Sequence, residues 1–323
     1  MDETTVSAAP PTGPRTLGID LGGTAIKWAQ LDGGHARERG RTDTPKGGCD
    51  EVVAEMIEIA ARFGDLDAVG VGVPGLYEPD GTTTLIPNVP GDWPGYPLGP
   101  RLAERLGVPV RLANDARAFT LAELRLGAGR GCRDIVAITL GTGVGGGVAS
   151  NGRLHLGRRQ RAGELGHQTV DPQGPRCGCG SRGCVETFAS GPAIVAGAVR
   201  AVLQGVPTCL REACGGDPSR LDVETVVACA RDGDDFALDV LRRAARALGH
   251  GLANACTILA PERIVIGGGI AAALDVLRPT IDEVIRDRAR LADPPEVVAA
   301  ELGGHAGAVG AALWSIEGQE EPI

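Results

Sequence analysis

The sequence predicts an α/β fold in two lobes, and two observations carry that prediction. Short apolar runs alternate with amphipathic segments along most of the 323 residues. A strand–glycine turn–strand unit near residue 16 also recurs about 120 residues later, too far for a solenoid repeat and suited to two related domains. Length favours about two domains. A hydrophobic content of 43% against 23% charged residues leaves ample apolar material for their cores.

Element by element, TLGID (16–20) and IKWAQL (26–31) read as strands joined by the turn LGGT. Asp50 is placed to cap the helix EVVAEMIEIAARF, whose Val52, Val53, Met56, Ile57, Ala60 and Phe63 share one face. LDAVGVGV (66–73) reads as a buried strand ending at Pro74-Gly75. A helix over 98–106 stops at Gly107, and the strand VPVRLA (108–113) then delivers Asn114-Asp115 to a helix running through Leu126. The opening unit then repeats. DIVAITL (134–140), the turn GTG and VGGGVAS (144–150) form a second hairpin, closing in SNGRL as the first closes in LDGG. Helices follow near 190–204, 222–232 and 235–259. IVIGGGI (264–270) is a strand entering a glycine loop and helix, and AGAVGAALWSI (306–316) is a closing helix. The expected organisation is a tail over 1–15 and a small lobe over 16–127 completed by helix 306–316. A large lobe over 128–305 and a tail over 317–323 complete it.

Several function classes are disfavoured at once. A net charge of −9 argues against a large basic face for nucleic acid. The start MDETTVSAAPPTGP is acidic and Pro-rich, which reads as a disordered tail and not a signal peptide. No apolar run reaches the ~18 residues that span a bilayer. Nine cysteines without an export signal point to a reducing, cytoplasmic setting and against a disulfide framework.

GVGVPG (70–75) and GTGVGG (141–146) both match G-x-G-x-x-G. That pattern makes a dinucleotide site only where a helix follows and offers its N-terminus to a pyrophosphate. A strand follows GTGVGG and the non-helical LYEPDGTT follows GVGVPG, so the assignment fails on context. Taken alone, either glycine hairpin is a plain turn. Two in a duplicated chain could offer backbone N–H groups and the hydroxyls of Thr24 and Thr142 to phosphates. Asp20, at the end of its strand, would then serve a hydrated Mg²⁺.

The stretch HQTVDPQGPRCGCGSRGCVE (167–186) places Cys177, Cys179 and Cys184 within eight residues, with His167 upstream. Disulfide, redox centre and metal site are the candidates, and a thioredoxin-like C-x-x-C context is absent. Cys49, Cys132, Cys209, Cys214, Cys229 and Cys256 are dispersed and read as ordinary small residues.

Together DLGGTAIK (20–27), LGTGVGGG (140–147), AGELGH (162–167) and CGCGSRGCVE (177–186) resemble the ROK family of sugar kinases and related repressors. The likeness runs from about residue 16 to 316. Its most specific part is Gly166-His167, nine residues, then C-x-C-G-x-x-G-C-x-E. The resemblance implies a two-lobed, actin-like ATPase fold with ATP and sugar in an interlobe cleft. It also implies one structural zinc ion on His167, Cys177, Cys179 and Cys184, and three thiolates with one imidazole are indeed a closed tetrahedral set. Free thiols in a flexible loop are the alternative.

By the same resemblance, Glu164, His167 and Glu186 hold hydroxyls on the C1–C3 side of a hexose, with His167 using its second nitrogen. Gly75, Asn88, Asn114 and Asp115 form the other wall, with Asp115 as catalytic base; helix capping is the alternative for Asp115. Asp20, Gly22, Gly23, Thr24 and Lys27, with Gly141, Thr142 and Gly143, take the ATP phosphates and Mg²⁺. Gly267, Gly268 and Gly269 approach adenosine. His305 departs from the family pattern, where an acidic or amide residue is common.

The expected activity is transfer of the γ-phosphoryl of MgATP to the 6-hydroxyl of glucose, by a homo-oligomer (dimer or tetramer). N-acetylmannosamine is the competing substrate. Leu76, where acetylhexosamine enzymes place an arginine, and Asn88 in IPNVPGDW both lean towards glucose. A sugar-responsive repressor of the same family would carry a helix-turn-helix domain ahead of the first hairpin, and fewer than twenty residues precede Asp20 there. A catalytically silent sugar or zinc module is disfavoured by the intact Asp20, Thr24, Lys27 and Asp115.

Overall fold

A computed structural model describes residues 13–317, so most of the first expected tail, and the second beyond Glu317, lie outside the described residues. Two compact units divide the chain. Among the described residues, one comprises 13–118 with 307–317, the other 119–306.

The first unit opens with β1 (Arg15–Leu21) and β2 (Ala25–Asp32), the predicted glycine hairpin. β3 (His35–Asp43) extends it, a strand with no periodic signal in the sequence because its residues are mostly polar and none is buried. α1 (Cys49–Ala61) follows, then β4 (Ala68–Val73) and a small hairpin of β5 (Leu76–Tyr77) and β6 (Thr83–Leu85). α2 (Leu98–Leu106) ends on Gly107 in the left-handed conformation, as expected from a glycine stop. β7 (Val110–Asn114) then runs into α3 (Asp115–Leu126). The sheet order is β3-β2-β1-β4-β7, antiparallel across the hairpin and parallel from β1 through β4 to β7.

Asp50 does not cap α1. Gly48 holds that position without a side-chain bond, and Asp50 accepts hydrogen bonds from the Tyr96 hydroxyl at 2.7 Å and from Arg101. A tertiary partner outbids the local cap. Val52, Val53, Met56 and Ile59 of α1 pack into one core with Leu17, Ile19, Val69 and Val71 of the sheet. The C-terminal helix (Ala306–Glu317) belongs to this unit from Gly307 onward. Its backbone rests directly on the sheet, since a methyl group on Gly18 or Gly70 would strike the carbonyls of Ala308 or Ala311. Trp314 Nε1 donates to the Leu112 carbonyl at 2.8 Å and pins it there.

The second unit repeats the plan. β8 (Ile135–Leu140) and β9 (Val144–Ser150) form the second glycine hairpin, extended by β10 (Arg153–Leu154). After the cysteine segment come α4 (Glu186–Ala189), α5 (Gly191–Leu203), α6 (Leu210–Ala213), α7 (Val223–Arg231) and α8 (Asp235–Leu259). β11 (Arg263–Gly267), α9 (Leu274–Arg288) and β12 (Glu296–Ala299) complete it. The order β10-β9-β8-β11-β12 matches the first sheet position for position, with the same antiparallel hairpin and the same parallel pairs. The duplication read from the two hairpins therefore has its structural counterpart.

Ser190, Asp222 and Asp234 cap α5, α7 and α8 through their side chains, which gives these helices definite starts. Cys209 and Cys229, distant in sequence, are brought side by side where α6 packs against α7, their Cα atoms 6.2 Å apart. Among the described residues, no helix is long and apolar enough to cross a membrane.

Candidate active site and metal centre

In the first unit, the turn after β1 is tightly bonded. Gly22 N–H donates to the Ala25 carbonyl at 3.1 Å, and the Thr44 hydroxyl donates to the Gly22 carbonyl at 2.6 Å. Asp20, one residue before the end of β1, pairs with Lys27 of β2, so hairpin register puts the carboxylate beside the ammonium. Asp20 is half-buried, and burial pushes its carboxyl up to about 6 although Lys27 pulls the other way. The Gly307 backbone lies against this carboxylate, where a Cβ would come within 2.7 Å of Oδ2.

A chain of contacts leads from this turn to Asp115. A methyl on Gly23 would strike the Asn88 carbonyl, so turn and Asn88 abut. Asn88 itself holds φ 63°. Gly75, at φ 97°, lies against Leu85 and Pro87, and its carbonyl accepts from Asn114 Nδ2 at 3.4 Å. Asn114 Oδ1 accepts from the Arg117 amide at 3.3 Å, which makes Asn114 the side-chain cap of α3. Asp115 is instead the first helical residue, its Oδ1 accepting from the Ala116 amide at 2.8 Å. The capping alternative for Asp115 thus passes to its neighbour.

In the second unit, the turn Gly141–Gly143 closes through the Gly141 amide on the Gly143 carbonyl at 3.0 Å. The Gly191 amide donates to the Gly141 carbonyl at 2.8 Å, and the Val144 amide donates to Glu186 Oε2 at 3.0 Å. Gly268, at φ 86°, packs on Leu140, so the Gly267–Gly269 loop adjoins the same turn. Glu164 precedes a 3₁₀ turn over Leu165–His167, and Gly166 in that turn packs on the Val144 carbonyl.

The cysteine segment folds into a closed loop. Val170 N–H donates to the Gly183 carbonyl and Cys177 N–H to the Ser181 carbonyl, while Thr169 and Cys184 form a β-bridge. These bonds gather His167, Cys177, Cys179 and Cys184 so that one donor atom from each lies within 4.8 Å of the others. Cys177 Sγ is 3.5 Å from His167 Nδ1, and Cys179 Sγ is 3.7 Å from Cys184 Sγ. Zinc bonds of 2.0–2.3 Å in a tetrahedron place neighbouring ligands about 3.4–3.8 Å apart. The donor set therefore fits a tetrahedral ion in both chemistry and spacing. Burial pushes the Cys177 thiol up to about 12 and raises that of Cys184, while the Ser181 amide lowers that of Cys179.

Some site features had no sequence signal that was read. Glu123 of α3 is fully buried and accepts three backbone amides, from Ala128, Glu301 and Leu302. Arg117 is also buried. A charged residue among the small and apolar positions of a short helix was the available clue.

An actin-like sheet pair, with a glycine hairpin at the head of each sheet and a Cys₃His loop beside the second, defines a class of ATPase-fold sugar kinases. The profile of the ROK family matches residues 16–317, and the chain belongs to that family. A glucokinase from Thermotoga maritima is 38% identical over 306 residues, 92% of this chain and 96% of its own length. An N-acetylmannosamine kinase from Haemophilus influenzae is 33% identical over 93% of this chain and 95% of its own. Among solved structures, a ROK family glucokinase from Streptomyces griseus in complex with glucose and AMPPNP superposes with a TM-score of 0.81. It is 34% identical, with 94% of this chain and 99% of that one covered.

Proposed function

We propose that this sugar kinase is an ATP-dependent glucokinase, moving the γ-phosphoryl of MgATP to the 6-hydroxyl of glucose. The observation that carries the reading is the run of contacts from Asp20 and Gly22–Thr24 through Asn88 and Gly75 to Asn114-Asp115, which ends in a carboxylate at the start of a helix. Relatives of 35–38% identity that bear the glucokinase name support the choice of sugar.

Asp115 orients the sugar hydroxyl and accepts its proton late in transfer; an ordinary carboxylate is ionised at neutral pH and competent for this. Asn114 keeps that carboxylate in place, since one amide oxygen caps α3 while its nitrogen holds Gly75. Glu164, Glu186 and the Nε2 of His167 hold ring hydroxyls, leaving Nδ1 of His167 on the metal side. Backbone amides of Gly23 and Gly143, with Thr24, Thr142 and Lys27, receive the phosphates, while Gly22 and Gly141 close the turns through their own amides. Gly267–Gly269 line adenosine. Asp20 suits a hydrated Mg²⁺, which when bound neutralises the phosphate charge. Zinc on His167, Cys177, Cys179 and Cys184 would hold its loop closed as a structural ion. The reading includes a cytoplasmic homo-oligomer, dimer or tetramer, which sedimentation would count.

The test is a phosphorylation screen with MgATP against glucose, mannose, fructose, N-acetylmannosamine and N-acetylglucosamine. Glucose should give the highest kcat/KM, and a tenfold margin needs only about 1.4 kcal/mol of differential transition-state binding. N-acetylmannosamine turning over best would move the assignment to that activity, in line with the relatives at 33% identity.

A further inference from the structure

We infer that Glu186 is a positioning residue for the nucleotide turn, a carboxylate strut that ties the metal loop to Gly141–Gly143 through the amide of Val144. The inference rests on the assignment of that turn to the ATP phosphates. Glu186 stands two residues after Cys184, at the start of α4. Its Oε2 accepts the Val144 amide at 3.0 Å, and its Oε1 faces the Cys177 sulfur at 3.6 Å. One side chain thus touches both the turn and the metal loop.

Two further contacts make the turn depend on this segment. Gly191, five residues on from Glu186, donates its amide to the Gly141 carbonyl, so the same stretch grips the turn at both ends. From the other side of the metal loop, Gly166 packs against the Val144 carbonyl one residue before His167. Gly143 completes the fit, because a Cβ there would lie 2.7 Å from Glu186 Oε2. A side chain at that position would push the carboxylate off the amide.

A residue that only holds a sugar hydroxyl affects sugar affinity. A strut also affects nucleotide affinity when no sugar is present, and that difference decides between the two. The experiment measures the Kd of the magnesium complex of AMPPNP by calorimetry on the full chain, without sugar. Glu186→Ala should weaken binding roughly 10–150-fold, the effect of one charge-assisted hydrogen bond. Glu186→Gln should stay within about threefold of wild type, because its amide oxygen can still accept the Val144 N–H. Gly143→Ala gives a second route: it should weaken binding in the wild-type background and cost far less beside Glu186→Ala, where the added methyl meets no carboxylate. Wild-type-like nucleotide binding by Glu186→Ala, with a raised glucose KM, overturns the strut alone. An equal cost of Gly143→Ala in both backgrounds does the same. Failure of the wild-type chain to bind the nucleotide at all overturns the kinase reading and the strut together.

Discussion

Removing the Glu123 carboxylate should unfold this protein at a markedly lower temperature without touching a residue assigned to substrate. Glu123 is 0% exposed. Its Oε2 accepts the Ala128 amide at 2.8 Å and the Glu301 amide at 3.1 Å, and its Oε1 accepts the Leu302 amide at 3.0 Å. The Ala128 bond is buried and the other two are partly so, which sets the magnitude. An orphaned buried donor costs about 1–3 kcal/mol, and a partly wet one falls at the low end. Relief of the buried charge offsets some of the loss, but breaking one side of such a network still costs about 3–5 kcal/mol. Glu123→Ala should therefore destabilise by about 4 kcal/mol. At about 2 °C per kcal/mol for a chain of this size, Tm falls by roughly 8 °C. Glu123→Gln keeps one acceptor oxygen but turns an NH₂ towards a donor, so about half that loss is expected. Thermal unfolding followed by circular dichroism gives Tm, and hydrogen exchange should speed up at the amides of Glu301 and Leu302. A Glu123→Ala protein melting within 2 °C of wild type would refute the reasoning.

Three further outcomes are expected. Cys179→Ala should lower bound zinc and glucose affinity together, read by metal analysis and calorimetry; normal glucose binding in a zinc-free variant would end the idea that the metal loop shapes the sugar site. Asp115→Asn should fold normally, because Asn114 supplies the cap of α3, and should lose roughly 10²–10⁴-fold in kcat; near-normal turnover would remove Asp115 from catalysis. Asp20 has a folded pKa raised to about 6 from 3.8, so its unfolded form is the better acid. Its contribution to stability is present below about 3.8 and is lost as pH rises through about 6. Asp20→Asn should therefore raise Tm at pH 7.5, by about 1–3 kcal/mol of stability, and flatten the loss between pH 4 and 6 while abolishing phosphorylation. A lower Tm at pH 7.5 would contradict the burial argument.

Much of the fold was written locally. Both hairpins could be placed because glycine turns flanked by apolar runs need no distant partner to be recognised. The same holds for α2, whose stop at Gly107 depends on one left-handed residue. The amphipathic period of α5, α7 and α8 located those helices to within a residue or so. Three edge strands of the two five-stranded sheets escaped. β3 carries almost no apolar residue because its outer side chains meet water, β12 is four residues long and β10 only two. None leaves a periodic signal.

The spacing of His167, Cys177, Cys179 and Cys184 was legible as a donor set by sequence alone, since its members lie within one loop. What the sequence could not say is which side chain would win a contested partner. Asp50 looked like a cap until Tyr96 and Arg101, about fifty residues away, took its carboxylate. Asp115 was the capping candidate for α3, but the Gly75 carbonyl, brought alongside by sheet order, orients Asn114 so that its side chain takes that place. Glu123 could only be understood once the segment at 301–302 folded back onto α3 and offered it two amides. Turn and period signals are short-range properties of the chain. A buried polar group is settled by whichever donor or acceptor the completed fold brings within about 3 Å, and that is a property of tertiary structure.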